Sequence, residues 1–256
     1  MNNFNSRVGG AVVVGGTGAI GSEIAKLLAE RGSDVAFTYH RNKLSADDIT
    51  NYVVSKGRRA LARTPTLRDS QDVAAFISEV GEELGGVHTL VYASSPHADQ
   101  MYLSELPPAR LEAHLMDDVL GFFNMAQASL PNLRRARGSI IAITTVGTKS
   151  FPVKDGVSAG PKGAVESLIR GLAAEEGRFG VRANSVGPGI LEDGVGARLI
   201  DSGQFGDKGQ KMALMRTPLG RFGRAIEIAQ AACFLASDEA GFITGQKLDV
   251  DGGYSL

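Results

Sequence analysis

The sequence predicts an α/β fold: a doubly wound parallel sheet with helices on both faces, in a single domain over residues 1–256. Three observations point there. Continuously apolar runs such as Ala11-Val12-Val13-Val14 and Ile140-Ile141-Ala142-Ile143 suit strands covered on both faces, as parallel sheets require. Longer stretches with apolar residues at helical spacing alternate with these runs. The chain has 256 residues, and α/β units reach about 250 residues as one body.

Strands are expected at 10–14, 34–39, 59–64, 88–93, 139–144, 182–186 and 247–250. Ile20, Ile24, Leu27 and Leu28 mark the first helix, and Gly32 stops it. Ser45 with Asp48 reads as the start of the second. Val73, Phe76, Ile77 and Val80 form the apolar face of the third. Longer helices are expected around 111–130 and 163–176, the latter showing Ala164, Leu168, Leu172 and Ala173. Ile226, Ala229, Cys233 and Phe234 mark the last. Residues 191–223 break the alternation with glycines, mixed charge, Met212, Leu214 and Met215. Ligands of such sheets bind beyond the carboxyl ends of the strands. The segment is therefore read as a substrate lid, with a plain surface loop as the alternative.

Composition narrows the partners. With 27 basic and 28 acidic residues and a net charge of −1, nothing demands a basic face, which argues against nucleic acid. A lone cysteine, Cys233, excludes an intrachain disulfide framework and a multi-cysteine zinc site. His88, His97 and His114 show no metal-ligand spacing, so no metal is expected. No apolar span is long enough for a membrane helix, and residues 1–7 lack the apolar core of a signal peptide. A cytoplasmic protein acting on a small molecule is expected.

The motif with most chemistry is Val14-Gly15-Gly16-Thr17-Gly18-Ala19-Ile20-Gly21, between the first strand and the first helix. Glycines there let backbone approach a pyrophosphate, and the helix start offers free N–H groups and a positive dipole end. At the end of the second strand an acid would accept a bond from a ribose 2′-hydroxyl. This chain instead has Thr38-Tyr39-His40-Arg41-Asn42-Lys43, where Arg41 offers a fork for a 2′-phosphate. NADP(H) is therefore the expected cofactor, with NAD(H) the alternative. Arg41 and Lys43 as solvated loop charges remain the plainer reading.

These residues, together with Leu90-Val91, Gly121, Ile143-Thr144-Thr145, Lys162, Asn184-Ser185-Val186-Gly187-Pro188-Gly189, Ile243-Thr244-Gly245-Gln246 and Asp251-Gly252-Gly253, resemble the short-chain dehydrogenase/reductase family over essentially the whole chain. The resemblance implies a seven-stranded Rossmann-type sheet. It implies a nucleotide site that also includes Thr66, Leu67 and Ala93, with Pro188, Gly189 and Ile190 along the nicotinamide and Lys162 on its ribose. Members are commonly tetramers. A homotetramer or homodimer is expected, through the helices around 111–130 and 163–176 and through 247–256.

The site departs from the family pattern of Asn, Ser, Tyr and Lys, which here reads Asp118, Thr145, Ser158 and Lys162. Other departures are Tyr92-Ala93-Ser94-Ser95 after the fourth strand, Ala19 in the nucleotide turn, and Thr66 where an acid contacts adenine. A phenol, with a pKa near ~10, can be lowered by a neighbouring ammonium into a usable acid; the Ser158 hydroxyl is far weaker. One branch, the 2,4-dienoyl-CoA reductases of peroxisomal type, resembles this chain in using an aspartate and a lysine, which match Asp118 and Lys162. Much of that likeness is shared with 3-oxoacyl-carrier-protein reductases. The expectation is an NADP(H)-dependent reductase of a carbonyl or conjugated enoyl or dienoyl substrate, free or carried as a thioester. Thr145 donates to the substrate oxygen, and a water held by Asp118 and Lys162 supplies the proton. Tyr92 or Tyr102 could otherwise supply a phenol. The alternative is an inactive dinucleotide-binding sensor or partner subunit.

Overall fold

Seven strands form one parallel sheet in the computed structural model, which describes residues 4–96, 100–194 and 206–256. They are β1 (Gly10–Val14), β2 (Asp34–Thr38), β3 (Ala60–Arg63), β4 (Val87–Tyr92), β5 (Ser139–Ile143), β6 (Arg182–Pro188) and β7 (Lys247–Val250). Their order across the sheet is β3-β2-β1-β4-β5-β6-β7. The chain winds outward from β1 to one edge, then returns to lay β4 on the other side of β1. The crevice at that reversal is where such sheets hold ligands.

The apolar runs are continuous because alternate residues feed opposite cores. Ala11 and Val13 join the core under α1 (Ala19–Glu30), α2 (Lys43–Ser55) and α8 (Ala225–Ala236). Val12 and Val14 join the core under α3 (Ser70–Leu84), α5 (Gly121–Ala136) and α6 (Gly156–Glu176). Each fully buried large aliphatic side chain contributes roughly 1.5–3 kcal/mol of transfer free energy.

Local rules place the helix ends. The α2 start differs from the expectation at Ser45: the helix begins at Lys43, and the Asn42 side chain caps it by accepting from the Ser45 N–H at 3.1 Å. Asn is as good an N-cap as Ser, and it stands three residues earlier. Asp69 caps α3, and Gly85 closes it in the left-handed region at φ 82°. The apolar face of α6 is wider than expected, with Leu168 and Leu172 packed half-buried on the core that holds Ala173. Val165, Ile169 and Ala173 are the buried stripe, while Ala164, Leu168 and Leu172 are half-buried. Consecutive residues stand about 100° apart on a helix; the wide apolar face left the seam ambiguous.

The helix expected near 111–130 runs as α4 (Pro108–His114), a π turn (Leu115–Leu120) and α5 without a break. Within 191–223 the ends are pinned together: Gly223 N–H donates to Ile190 O at 2.9 Å, and Glu192 N–H to Gly223 O at 2.9 Å. Between them lies α7 (Asp207–Arg216), which exposes Met212 and Met215. Residues 195–205 of that segment, and His97, lie outside the described residues.

Candidate active site

The carboxyl ends of β1, β4, β5 and β6 converge on one crevice. Gly15 turns the chain out of β1 at φ +81°, and a Cβ there would stand 2.9 Å from Ser94 Cα. A Cβ on Gly21 would meet Gly15 O at 2.2 Å, so the first turn of α1 can lie on the loop only without a side chain. Two bonds anchor the loop to β2: Gly16 N–H to Thr38 O at 2.8 Å and Gly15 N–H to the Thr38 hydroxyl at 3.0 Å. Gly18 is the N-cap of α1 and offers no side-chain cap. The N–H groups of Ala19, Ile20 and Gly21 at the helix start have no earlier turn to bond and suit an anion. This cradle fits a dinucleotide pyrophosphate, with Thr17 beside it. Ala19 stands where the family pattern has a glycine. Its methyl faces Gly194 from the loop after β6, where an added Cβ would come within 2.8 Å.

At the adenosine end, His40 and Arg41 are exposed, and Arg41 makes no ion pair with any described residue. Lys43 differs: it pairs with Asp47 one turn along α2 at 2.8 Å, which raises its pKa through the hydrogen bond and the charge. Thr66 donates its N–H to Asp72 at 2.7 Å, and Leu67 O accepts from Asn124 Nδ2 at 2.9 Å. Ala93 N–H continues the ladder onto Val14 O at 2.9 Å. Gly189 N–H bonds Val250 O at 3.0 Å, placing Pro188, Gly189 and Ile190 at the mouth of the crevice.

The centre is a buried ion pair. Lys162 Nζ donates to Asp118 Oδ1 at 2.9 Å and to Ser94 O at 3.0 Å, and the two side chains are only 4% and 3% exposed. An ammonium has three donors; two are committed, and one is left for a bound molecule. Asp118 comes from the π turn and Lys162 from α6, so helices on one side of the sheet bring the two together. The neighbouring acid, Asp117, is the surface one and pairs with Arg68. Asp118 and Lys162 thus touch directly. Ser158 stands one turn before Lys162 and is half-buried. Pro161 between them has no N–H to give to the carbonyl of Val157.

Thr145 follows β5. Its hydroxyl oxygen accepts from the Gly147 N–H at 3.0 Å, which occupies a lone pair and leaves the hydroxyl proton to donate. Its carbonyl accepts from Lys247 Nζ at 2.9 Å. Lys247 also donates to the Thr148 hydroxyl at 2.5 Å and lies 3.2 Å from Glu166 Oε1. Asp249 Oδ1 is 3.1 Å from the same nitrogen but off the hydrogen-bonding direction. The sequence reading missed this cluster. Its signal was polar alternation, Lys247 and Asp249 on one face of β7.

Tyr92 is one of the two candidate phenols. It is fully buried, donates to Asp117 O at 3.1 Å and meets Phe122 edge-on at 5.5 Å. Burial pushes its pKa well above 10, and Asp118 and Asp117 add to the rise, which disqualifies it as a neutral-pH acid. Tyr102 is exposed, with the Lys154 ammonium 4.6 Å from its ring centre. Cys233 is buried, its thiol pushed up to about 12 by desolvation. His88 packs at the opposite end of the sheet, 3.1 Å from the Ser33 hydroxyl, and burial lowers its pKa to about 3. Among the described residues no three His, Cys, Asp or Glu side chains could hold a metal ion, and no helix is long and apolar enough to cross a membrane.

A family model described as enoyl-(acyl carrier protein) reductase matches residues 15–255. The 3-oxoacyl-[acyl-carrier-protein] reductase FabG of Staphylococcus aureus is 32% identical over 250 residues, covering 95% of this chain and 96% of its own length. The chain belongs to the short-chain dehydrogenase/reductase family. Cis-4-hydroxycyclohexanecarboxylate dehydrogenase of Sinomonas cyclohexanicum is 32% identical and covers 98% of both chains. A short-chain dehydrogenase of Burkholderia cenocepacia, solved in complex with NADP, superposes with a TM-score of 0.89 at 27% identity, covering 98% of this chain and 100% of its own. This short-chain dehydrogenase/reductase is an NAD(P)-dependent oxidoreductase with a seven-stranded Rossmann-type sheet.

Proposed function

We propose that the chain is an NADPH-dependent reductase of a carbonyl or conjugated enoyl or dienoyl substrate, carried as an acyl thioester, with Asp118 and Lys162 replacing the family's phenol-centred site. The observation that carries this reading is the Lys162–Asp118 pair. It sits in the crevice beside Ser94, nearly excluded from water, with one ammonium donor uncommitted. A buried charge pair is costly to keep, and one at the foot of a ligand crevice is a functional-site candidate. Relatives named as acyl-carrier reductases support the acyl substrate.

Gly15, Thr17, Gly18, Ala19, Ile20 and Gly21 would hold the pyrophosphate, His40 and Arg41 the adenosine phosphate, and Thr66, Leu67 and Ala93 the adenine side. Pro188, Gly189, Ile190 and Lys162 would hold the nicotinamide half. When bound, the reduced nicotinamide supplies a hydride. Thr145 donates its hydroxyl proton to the substrate oxygen where negative charge grows. Lys162, fixed by Asp118, places a positive charge beside the same pocket. Ser158 contributes a small polar wall where the phenol ordinarily stands. Residues 191–223 cover the substrate as a lid hinged at the Ile190–Gly223 contact.

The test is NADPH oxidation across dienoyl-CoA, enoyl-CoA, 3-oxoacyl and simple ketone substrates. Turnover that disappears in Lys162→Ala supports the reading. Tight NADPH binding with no turnover of any substrate favours the second reading, a dinucleotide-binding sensor or partner subunit, which the Ser158 hydroxyl motivates. For the cofactor, Arg41→Glu is expected to raise the KM for NADPH by about 10–100-fold, the worth of a charge-assisted contact of roughly 1.5–3 kcal/mol. The KM for NADH should stay within a few-fold; an equal rise for both would remove Arg41 from the phosphate site. A cytoplasmic homotetramer or homodimer is in keeping with the exposed Leu115, Met116 and Phe123 on the α4–α5 helix, and light scattering in solution reads the oligomeric state.

A further inference from the structure

One carboxyl in the crevice has no structural work. Asp155 occupies the N-cap position of α6: its carbonyl accepts from Ser158 N–H at 3.1 Å and Ala159 N–H at 2.8 Å. An aspartate at that position ordinarily turns its side chain onto the first helical N–H groups. This one makes no such bond, and its carboxyl oxygens have no hydrogen-bond partner among the described residues. The preceding Lys154 is held at φ 71°, left-handed for a residue with a side chain. Strain of that kind costs about 1–3 kcal/mol and collects at functional sites. It turns Asp155 away from the helix and toward the end of β5. A Cβ built on Gly147 would stand 3.1 Å from Asp155 Oδ2 and 3.2 Å from the Thr145 hydroxyl oxygen. The two oxygens thus flank the same face of Gly147, with Pro152 Cδ beside them, 3.2 Å from that Cβ.

The surroundings cover the carboxyl in part: Asp155 is half-buried, and neither oxygen is wholly cut off from water. The 101–103 segment closes over it: Met101 N–H bonds Lys154 O at 3.0 Å, and Leu103 packs so tightly that a Cβ on Gly156 would lie 2.3 Å from its Cδ2. Burial raises the Asp155 pKa to about 6 and is the only cause at work. The titratable groups on the elements around it are Lys154 in its own loop, Tyr102 and Glu105 on the covering segment, Lys149 beyond the β5 turn, Lys162 on α6, Arg110, Glu112 and His114 on α4, and Arg216, which reaches Ser150. None of them contributes to the shift.

We infer that Asp155 is the proton donor to the substrate, standing one helical turn before Ser158 and beside the Thr145 hydroxyl that holds the substrate oxygen. The inference rests on the reductase reading above and supplies the acid that Ser158 cannot be. The two electrons and one hydrogen arrive as hydride from the reduced nicotinamide. The second hydrogen is the Asp155 carboxyl proton, transferred directly or through one water. The carboxyl O–H bond breaks, its electron pair stays on the carboxylate, and the new bond forms to the substrate oxygen of a ketone or the α-carbon of a reduced enoyl thioester. Solvent then returns a proton to Asp155. Lys162 and Asp118 are left as the fixed charges of the pocket rather than the proton source.

The test compares wild type with Asp155→Asn and Asp155→Glu on whichever substrate the panel identifies. The wild-type kcat is expected to fall about tenfold per pH unit above about 6, the limb of an acid that must be protonated. Asp155→Asn should lower kcat by about 10²–10⁴-fold, lose that limb and keep NADPH affinity by titration. Asp155→Glu should recover part of the rate. A second readout needs no turnover. An acid whose folded pKa is raised binds its proton more tightly when folded, so it adds stability at low pH, and that stability is lost as pH rises from about 4 to about 6. Wild type should therefore lose melting temperature relative to Asp155→Asn across that window. Wild-type turnover with Asp155→Asn retaining both its rate and its limb overturns the inference and leaves the reductase intact. No wild-type turnover on any substrate overturns the reductase reading, and this inference with it.

Discussion

Asp118→Ala is expected to destabilise the chain by about 3–5 kcal/mol, the usual cost of stranding one partner of a buried pair. Both side chains are at least 96% hidden, as their 4% and 3% exposures show, so little water can enter to relieve the Lys162 ammonium. The double variant Asp118→Leu with Lys162→Met should recover most of that loss, because two apolar side chains of similar bulk need no partner. Neither variant should reduce substrate. Urea unfolding curves with a shared m-value check the first part, and NADPH oxidation the second. A single variant as stable as wild type would mean that the pair is solvated in solution. An active double variant would remove the pair from the chemistry.

Lys247→Met is the next largest effect. One ammonium holds the Thr145 carbonyl, the Thr148 hydroxyl and two carboxylates, Glu166 and Asp249. Without it, those carboxylates face each other with 11% and 18% exposure. The expected loss is about 3 kcal/mol, at the low end for a broken buried pair because some water reaches the site. A fall in kcat should accompany it, since Thr145 would lose the anchor of its backbone. The companion variant Lys247→Met with Asp249→Asn and Glu166→Gln removes the repulsion and separates the effects. Stability should return, while kcat stays low if the anchor is what Thr145 needs. Recovery of kcat together with stability would show that Lys247 acts on folding alone.

The strands were legible because parallel strands buried on both faces leave unbroken apolar runs, as in Val12-Val13-Val14. The nucleotide turn was legible because its constraint is local: the approach of Gly21 to Gly15 O depends on seven consecutive residues. The α2 start was misread for a local reason too, a better cap three residues upstream. Asp118 and Lys162 were found by motif position; their direct contact depends on the packing of two helices that no periodicity encodes. The burial of Tyr92 was not legible, because the side-chain direction at a strand end depends on which face the last residue takes. Lys247 and Asp155 went unread, since each acts across more than a hundred residues or through a single glycine.

The π turn at Leu115–Leu120 fixes more than a local shape. Such a turn is an ordinary helix carrying one surplus residue, and excising that residue would let the segment relax into a uniform coil. Everything upstream would then rotate by about 100°. The loss of a single codon between 115 and 117 would thus carry α4 out of phase with the carboxylate that faces Lys162. Reading frame length, and not residue identity alone, is under constraint along that stretch.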